Sequence, residues 1–327
     1  MMLKKTTILG ACMAIGCCSM AQAHEFDALI KAKKYAEVEK AANAKLAATP
    51  NQADALAAKI ELILIEGKDS RLDEAAKLAE QCINANPKFS ECFELHGNIF
   101  GLKAQKANMM SAMSYANKFK DSIRKAIELD TNNFGARFSL LQFYIQAPAI
   151  AGGGASKARD FIVETIKVSP VAGSLFQAYL DTADDNLTRA MSAAMAVNTN
   201  GNESLNKIHR SVLSNLGHSL VNTKKYAEAD KVYNEALQRY PDSAIGSFGL
   251  GKNLQEQGKQ KEAIPFFEKA IATDASAAAY YRLAKAQQAL GEKAKAISNY
   301  EKAVIFQPEM SKKSKADAEE QIKALKG

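Results

Sequence analysis

Apolar residues recur at helical spacing in the C-terminal third of the chain. Leu213, Leu216 and Leu220 form one apolar stripe, and Ala229 and Tyr233 begin a second stripe after a short polar interval. Residues three or four positions apart lie on one face of an α-helix. Each stripe therefore predicts one helix, and the polar interval between them predicts a turn that folds the second helix back onto the first.

The same pattern recurs 34 residues later and again after a further 33 residues. The corresponding positions are Leu250, Gly251, Leu254, Ala263, Phe267 and Ala270 in the second copy, and Leu283, Ala284, Ala296, Tyr300, Ala303 and Pro308 in the third. Glycine or alanine allows two helices to approach closely, the aromatic side chain fills the space between neighbouring pairs, and proline ends a helix. Repetition at this period predicts a solenoid of stacked helix pairs.

This arrangement resembles the tetratricopeptide repeat family, whose pattern has Leu-Gly in the first helix, Ala and an aromatic residue in the second, and a closing Pro. The resemblance implies an all-α fold, an α-solenoid of antiparallel helix pairs that binds proteins. It is strict over residues 210–308 and weaker over most of residues 25–308. The departures are the signature Trp, replaced by Leu213, Ser247 and Tyr280, and Ala275 in place of one closing Pro.

Weaker copies of the pattern fill the N-terminal half, where Pro50, Pro87 and Pro170 close successive units. One longer unit has extra residues around Lys103 to Ala116, which we expect to protrude. The predicted organisation is a signal peptide over residues 1–23, divergent helical repeats with long insertions over 24–170, a degenerate helix pair and loop over 171–206, three well-matched repeats over 207–308, and a capping helix over 309–327.

The first 23 residues have the order of a secretory signal peptide. Lys4 and Lys5 precede an uncharged, largely apolar stretch that is too short to span a bilayer comfortably, and Ala21-Gln22-Ala23 is a small-x-small cleavage site. We expect cleavage after Ala23 and export, most simply to the periplasm. Lipidation at Cys17 remains an alternative, although the preceding residues lack the usual Leu.

Composition and charge are those of an ordinary folded protein and argue against nucleic-acid binding. Hydrophobic residues make up 47% of the chain and charged residues 24%, as in ordinary globular proteins. The formal net charge of +7 falls to +5 without Lys4 and Lys5, and the basic residues are spread along the chain. An Arg-rich tract with interleaved aromatic residues, typical of nucleic-acid binding, is missing, so we expect no nucleic-acid partner.

The sequence offers little for catalysis. His24, His96, His209 and His218 are the only histidines, and neither a His-Glu-x-x-His run nor a Cys-x-x-Cys pair occurs. His96 directly precedes Gly97 on a predicted first helix, where a packed histidine is the ordinary interpretation. We therefore predict a protein that is not an enzyme and that needs no cofactor or metal.

One face of the well-matched repeats is a candidate partner-binding surface. In tetratricopeptide arrays the corresponding face of the first helices lines the concave side. The candidate residues are His218, Phe248, Lys252, Tyr281, Arg282 and Lys285. The alternative is that they are ordinary solvated side chains. The family's carboxylate clamp is not reproduced, because Gly249 and Ala278 stand where polar or basic residues would be expected.

The most unusual local segment runs from Gln146 to Lys157 and contains Gly152, Gly153 and Gly154. It lacks the Gly-Lys-Ser/Thr ending of a phosphate-binding P-loop. Ser156 is a candidate cap for the following helix, and backbone N–H groups at that helix start are a possible anion-binding site. The alternative is an enlarged turn inside one helix pair.

Cys82 and Cys92 are the only cysteines that remain after removal of the predicted signal peptide. They lie near the end of one predicted helix and the start of the next, with Asn86-Pro87 turning the chain between them. In an oxidising compartment they are a candidate disulfide. Otherwise they are small core residues.

These observations lead to two functional hypotheses. The first is a non-enzymatic scaffold or adaptor of the bacterial cell envelope that holds a protein or peptide on its concave face. The second is a periplasmic accessory protein that binds a small ligand in a pocket formed by the solenoid and its insertions. An enclosed apolar cavity favours the second hypothesis, and an open, charged groove favours the first.

Overall fold

The structure is a computed structural model that describes residues 26–306 and 310–327. The predicted signal peptide, the alternative lipidation site at Cys17 and the closing Pro308 lie outside the described residues.

The described residues form seventeen α-helices and no strand, which confirms the predicted all-α class. They are α1 (Asp27–Lys31), α2 (Tyr35–Ala48), α3 (Ala53–Glu66), α4 (Leu72–Ala85), α5 (Ser90–Lys106), α6 (Met109–Leu129), α7 (Phe134–Gln146), α8 (Ala155–Val168), α9 (Pro170–Ala183), α10 (Leu187–Ala196), α11 (Glu203–Asn222), α12 (Tyr226–Arg239), α13 (Ile245–Glu256), α14 (Gln260–Asp274), α15 (Ala277–Ala289), α16 (Lys293–Ile305) and α17 (Lys312–Lys326).

Consecutive helices pack against each other through short connections, so that they form antiparallel pairs. The odd-numbered helices from α3 to α15 also contact the next odd-numbered helix. This second set of contacts stacks the pairs into a solenoid, as the repeat pattern predicts. A main core runs continuously from α3 to α13, and smaller clusters of buried residues extend it at both ends.

Small residues let paired helices approach closely. A Cβ atom added at Gly97 of α5 would lie 2.7 Å from the Ile123 side chain of α6, and one added at Gly251 of α13 would lie 2.8 Å from the Phe267 ring of α14. The Phe267 ring is fully buried, as is the Tyr233 ring of α12. The glycine and aromatic positions of the repeat pattern are therefore packing positions, because the ring occupies the space that a glycine leaves open.

The pair α9–α10 is tied firmly to the repeats that follow it. His209 of α11 donates from Nε2 to the Ala194 carbonyl at 3.0 Å, and its Nδ1 accepts from the Tyr240 hydroxyl at 2.8 Å. Arg239 donates to the carbonyls of Met195, at 2.9 Å, and Val197. The segment after α10 is thus held by side chains on both helices of the first well-matched repeat.

The last helix covers the solenoid's C-terminal end. Ala318 of α17 is fully buried, Asp317 accepts a hydrogen bond from the Tyr281 hydroxyl, and Gln288 donates to Gln321 at 2.7 Å. This helix therefore occupies the place on α15 that another repeat would take.

Candidate functional site

A cavity of about 940 Å³ opens on the side of the odd-numbered helices. Residues of α1, α3, α5 and α11 line most of it, together with residues 198–201, the connection after α12 and the end of α14. Lys33, next to α1, donates to Asp274 at 2.5 Å, although the two residues are 241 positions apart. The curvature of the solenoid thus brings its N-terminal arm against its C-terminal repeats and gives the cavity a wall on both sides.

The wall of this cavity is polar and mixed in charge. Its cationic residues are Lys31, Lys33, Lys207, Arg210 and Arg239, and its acidic residues are Asp27, Glu61, Glu94, Glu203, Asp242 and Asp274. Arg210 pairs with Glu203 at 3.2 Å, in addition to the Lys33–Asp274 pair. Both signs of charge are therefore presented to an occupant, which suits a polar segment of protein better than an apolar small molecule.

Glu94 is a buried carboxyl group in the cavity wall whose pKa is raised. Burial raises its pKa and the neighbouring Glu91 acts in the same direction, whereas hydrogen bonds with Asn133 and Asn98 and the charge of Lys207 oppose this rise. A Cβ atom at Gly135 would lie 2.5 Å from Glu94 Oε1, so the glycine makes room for the carboxyl group. A carboxyl group in such surroundings responds strongly to any charge that a partner brings near it.

The candidates chosen from the sequence do not line this cavity. Three of them nevertheless lie near one another, because the charges of Lys252 and Arg282 both act on His218. Burial lowers the pKa of His218 to about 4, and the two positive charges act in the same direction. Arg282 donates to Glu256 at 2.7 Å and to Gln255 at 3.0 Å. These polar side chains connect successive first helices, since Gln255 in turn donates to the Arg282 carbonyl at 2.9 Å.

The two aromatic candidates take part in packing between helices. Phe248 packs against Phe267 with ring centroids 6.0 Å apart, and Tyr281 contacts the Tyr300 ring at 5.8 Å. The cap helix α17 covers Tyr281, whose hydroxyl is bonded to Asp317. Contact of Tyr281 with a partner stays a prediction, and the cap helix leaves less of its ring open to one. Lys285 is exposed and lies 5.5 Å from the Tyr281 ring centroid.

The glycine segment forms a turn whose own hydrogen bonds use its N–H groups. Gly152 donates to Ala149 at 2.9 Å, Gly153 to Pro148 at 3.2 Å and Gly154 to Tyr144 at 2.7 Å. Anion binding at this segment stays a prediction, but the N–H groups of Gly152, Gly153 and Gly154 are already bonded to carbonyl groups of the protein.

The start of α8 also differs from the expectation. Helix α8 begins at Ala155 with Gly154 as its N-cap and no side-chain cap, so the prediction that Ser156 caps it is wrong. Gly154 has φ +140°, a conformation that glycine adopts without strain, and this allows the chain to enter the helix directly from the turn.

The structure joins Cys82 of α4 and Cys92 of α5 in a disulfide, with their Cα atoms 5.6 Å apart. Both residues are fully buried beside Leu56. We expect thiol counting on residues 24–327, denatured without reductant, to find no reactive thiol, and to find two after reduction. Two reactive thiols before reduction would contradict the pairing and leave Cys82 and Cys92 as small core residues.

Within residues 26–306 and 310–327, no group of three His, Cys, Asp or Glu side chains is placed to hold a metal ion. No helix in the same ranges is both long and apolar enough to cross a membrane. His96, the histidine next to Gly97, bonds to the Ser122 hydroxyl at 2.7 Å and packs on Phe100, as expected for a packed side chain.

The cavity residues could not be recognised from the sequence alone. Glu94 and Asn98 lie in a divergent repeat, and Lys207 and Arg210 precede the first well-matched stripe. Polar residues on the cavity side of a first helix follow no pattern of their own. Only the position of each helix in the solenoid decides which of them meet.

Comparisons with known proteins agree with this architecture. Two models of the tetratricopeptide repeat family match residues 209–276 and 277–309. The crystal structure of yeast Tom70 is similar, with a TM-score of 0.53, 16% sequence identity, and coverage of 85% of this chain and 65% of that chain. A crystal structure of the APC/C hetero-tetramer Cut9-Hcn1 matches with a TM-score of 0.48 and 13% identity, over 79% of this chain and 47% of that chain. No curated protein sequence matches. At these identities the likeness to Tom70 concerns the α-solenoid fold, and this chain spans less than two thirds of the Tom70 chain.

Proposed function

Residues 209–309 belong to the tetratricopeptide repeat family, and from this premise we propose that the chain is a protein-binding scaffold whose concave cavity holds a segment of a protein partner. The observation that carries the proposal is the cavity of about 940 Å³ with both signs of charge on its wall. Proteins recognise one another through such complementary charges, which set specificity and the rate of association. The scaffold acts by binding and requires no cofactor and no catalysis.

Position-dependent crosslinking in cells tests the cavity. A photo-crosslinking amino acid is placed at Asn98 or Lys207 in the cavity wall, and at Lys231 on the exposed side of α12 as the control. We expect one partner to crosslink from both cavity positions and not from Lys231. The purified partner should then bind the unmodified protein. Crosslinking from Lys231 alone, or equally from all three positions, would place the interaction outside the cavity.

A charge-reversal experiment then tests the role of the cavity wall. Lys207 lies in the wall near Glu94, whereas Lys231 is exposed elsewhere. We expect Lys207→Glu to weaken binding of the identified partner about ten-fold, which corresponds to ~1.4 kcal/mol, and Lys231→Glu to leave it unchanged. Equal effects of the two variants would indicate a response to net charge alone.

We further propose that the protein works outside the cytoplasm of a bacterium, in the periplasm. Support comes from the order of charged, apolar and small residues in the first 23 positions. Intact-mass measurement of the exported protein should give a chain that begins at His24. A chain that begins at Cys17 with added acyl mass would replace the periplasmic proposal with a lipid anchor.

A second candidate function, binding of a small ligand, is favoured by an apolar groove of about 650 Å³ near Leu102 and Ile150. Pockets for small ligands bury most of the ligand surface. This groove is open to solvent, and it continues from the charged cavity at Asn98, which lines both. We therefore attribute the groove to the same protein-binding surface.

A further inference from the structure

The two insertions singled out in the sequence meet at one apolar groove. The lengthened α5 and α6 form one wall, and the end of α7 with the turn before Gly152 forms the other. Its apolar lining includes Leu102, Met109, Met113, Phe119, Phe143 and Ile150. Among the described residues that line it, none is acidic or basic, and the polar ones are Asn, Gln and Ser.

Large apolar side chains at this groove are exposed to an unusual degree. Met109 and Ile150, which line the groove, are 78% and 73% exposed, and Met110, the residue after Met109, is 87% exposed. Contiguous exposed apolar surface of this kind marks an interaction site. Methionine is flexible and polarisable, so that a surface rich in it adapts to the side chains of a partner.

Two lysines lie at the turn that forms one wall of the groove. Lys120 donates to the Ala151 carbonyl at 3.1 Å, and Lys157 donates to the Gly152 carbonyl at 3.0 Å. In the part of the chain that the structure describes, neither lysine has a carboxylate partner. An occupant with acidic groups along its edge would supply the missing counter-charges.

We propose that this groove binds an amphipathic α-helix of the protein partner, with its apolar face in the groove and its acidic residues toward Lys120 and Lys157. The inference rests on the proposed scaffold function and names the partner's chemistry. The partner segment then continues past Asn98 into the charged cavity, because that residue lines both spaces.

The form of the groove favours a helix over an extended peptide or an acyl chain. Helix side chains form most of the walls, and the backbone groups of those helices are bonded within the helices. An extended peptide would leave its own N–H and C=O groups without partners against such walls, whereas a helix satisfies them internally. An acyl chain requires enclosure to exclude water, and this groove is open.

A designed peptide tests the proposal on the full mature chain. The probe is a fluorescently labelled helical peptide with Leu at positions i, i+3, i+4 and i+7 and Glu on its polar face. Two controls are the same peptide with Lys in place of Glu and a scrambled peptide of the same composition. We expect binding of the acidic amphipathic peptide alone. Equal binding of either control would overturn the proposal.

Variants then locate the peptide. Ile150→Glu places a charge on the apolar surface and should weaken binding at least about ten-fold, while circular dichroism stays unchanged because Ile150 is exposed. Lys157→Ala should weaken binding about three-fold and reduce its salt dependence. Lys125→Ala, which removes a lysine paired with Glu128 on α6, should change neither. Wild-type affinity of Ile150→Glu would rule the groove out.

Two further outcomes separate this inference from the proposed function. If the cellular partner crosslinks from Lys207 but not from Met109, which lines the groove, the cavity binds the partner and the groove proposal fails alone. If a long-chain fatty acid binds with the same sensitivity to Ile150→Glu while the peptide does not, the groove is a small-ligand site and the helix proposal is wrong.

Discussion

Replacing Gly249 with alanine should destabilise the protein by about 2 kcal/mol, although the same change in an ordinary helix stabilises by ~1 kcal/mol. Gly249 lies in α13, and a Cβ atom there would overlap the ring carbons of Tyr233. The ring cannot move away, because it is 1% exposed and a Cβ atom at Gly217 of α11 would overlap its other end. The Tyr233 ring of α12 therefore fills space that glycines leave open on both α11 and α13.

Urea unfolding followed by circular dichroism measures this effect, and a double-mutant cycle identifies its cause. In a Tyr233→Ala background the overlap is gone, so that Gly249→Ala should be neutral or slightly stabilising. Gly251→Ala is a control with a milder overlap, because its Cβ atom would lie 2.8 Å from the Phe267 ring. A smaller shift of that ring removes the overlap, so this variant should lose less stability than Gly249→Ala. An unchanged urea midpoint for Gly249→Ala would show that Tyr233 does not pack as described.

The repeat pattern predicted most of the fold, and Gly249 shows where its information ends. The spacing of Leu213, Leu216 and Leu220 and of their later copies depends only on the geometry of one helix, so it could be read without a structure. From the sequence, Gly249 was only a departure from a binding motif of the family. Its packing role depends on the distance between neighbouring repeats, and no local pattern encodes that distance.

The candidate site was predictable only in part, because it depends on the curvature of the whole solenoid. Small rotations between successive pairs accumulate along the array, and their sum brings Lys33 to Asp274. The cover of Tyr281 by α17 has the same origin, since the sequence predicted a capping helix but not which residues of α15 it would contact. The two insertions were recognised separately, but their meeting at Met109 and Ile150 required the structure.

The glycine turn gives a third example of this limit. Composition alone predicted an irregular connection around Gly152, and the structure contains one. Its N–H groups are bonded to the carbonyls of Tyr144, Pro148 and Ala149, which the turn itself brings near. A segment rich in glycine therefore indicates backbone freedom but does not tell whether its N–H groups remain available.

Lowering the pH from 7 to 5 should reduce the free energy of unfolding by about 2 kcal/mol through His209 alone. Burial lowers the pKa of this histidine to about 4, and the charge of Arg239 acts in the same direction. Its ring is fully buried between the Ala194 carbonyl and the Tyr240 hydroxyl. In the unfolded chain the pKa is about 6.5. Between these two values the unfolded state binds a proton that the folded state does not, so the loss of stability begins near pH 6.5 and is complete near pH 4.

A non-titrating variant separates this effect from those of the other acidic and basic groups. His209→Gln should be less stable than wild type at pH 7, because it loses well-placed hydrogen bonds, but its stability should change less between pH 7 and 5. His218, whose pKa burial also lowers to about 4, adds a loss of the same sign in both proteins. Glu94 has the opposite sign, because its raised pKa makes the folded state take up a proton as the pH falls. Since both groups are common to the two proteins, the difference between their pH profiles reports His209, and parallel profiles would show that His209 is not the group responsible.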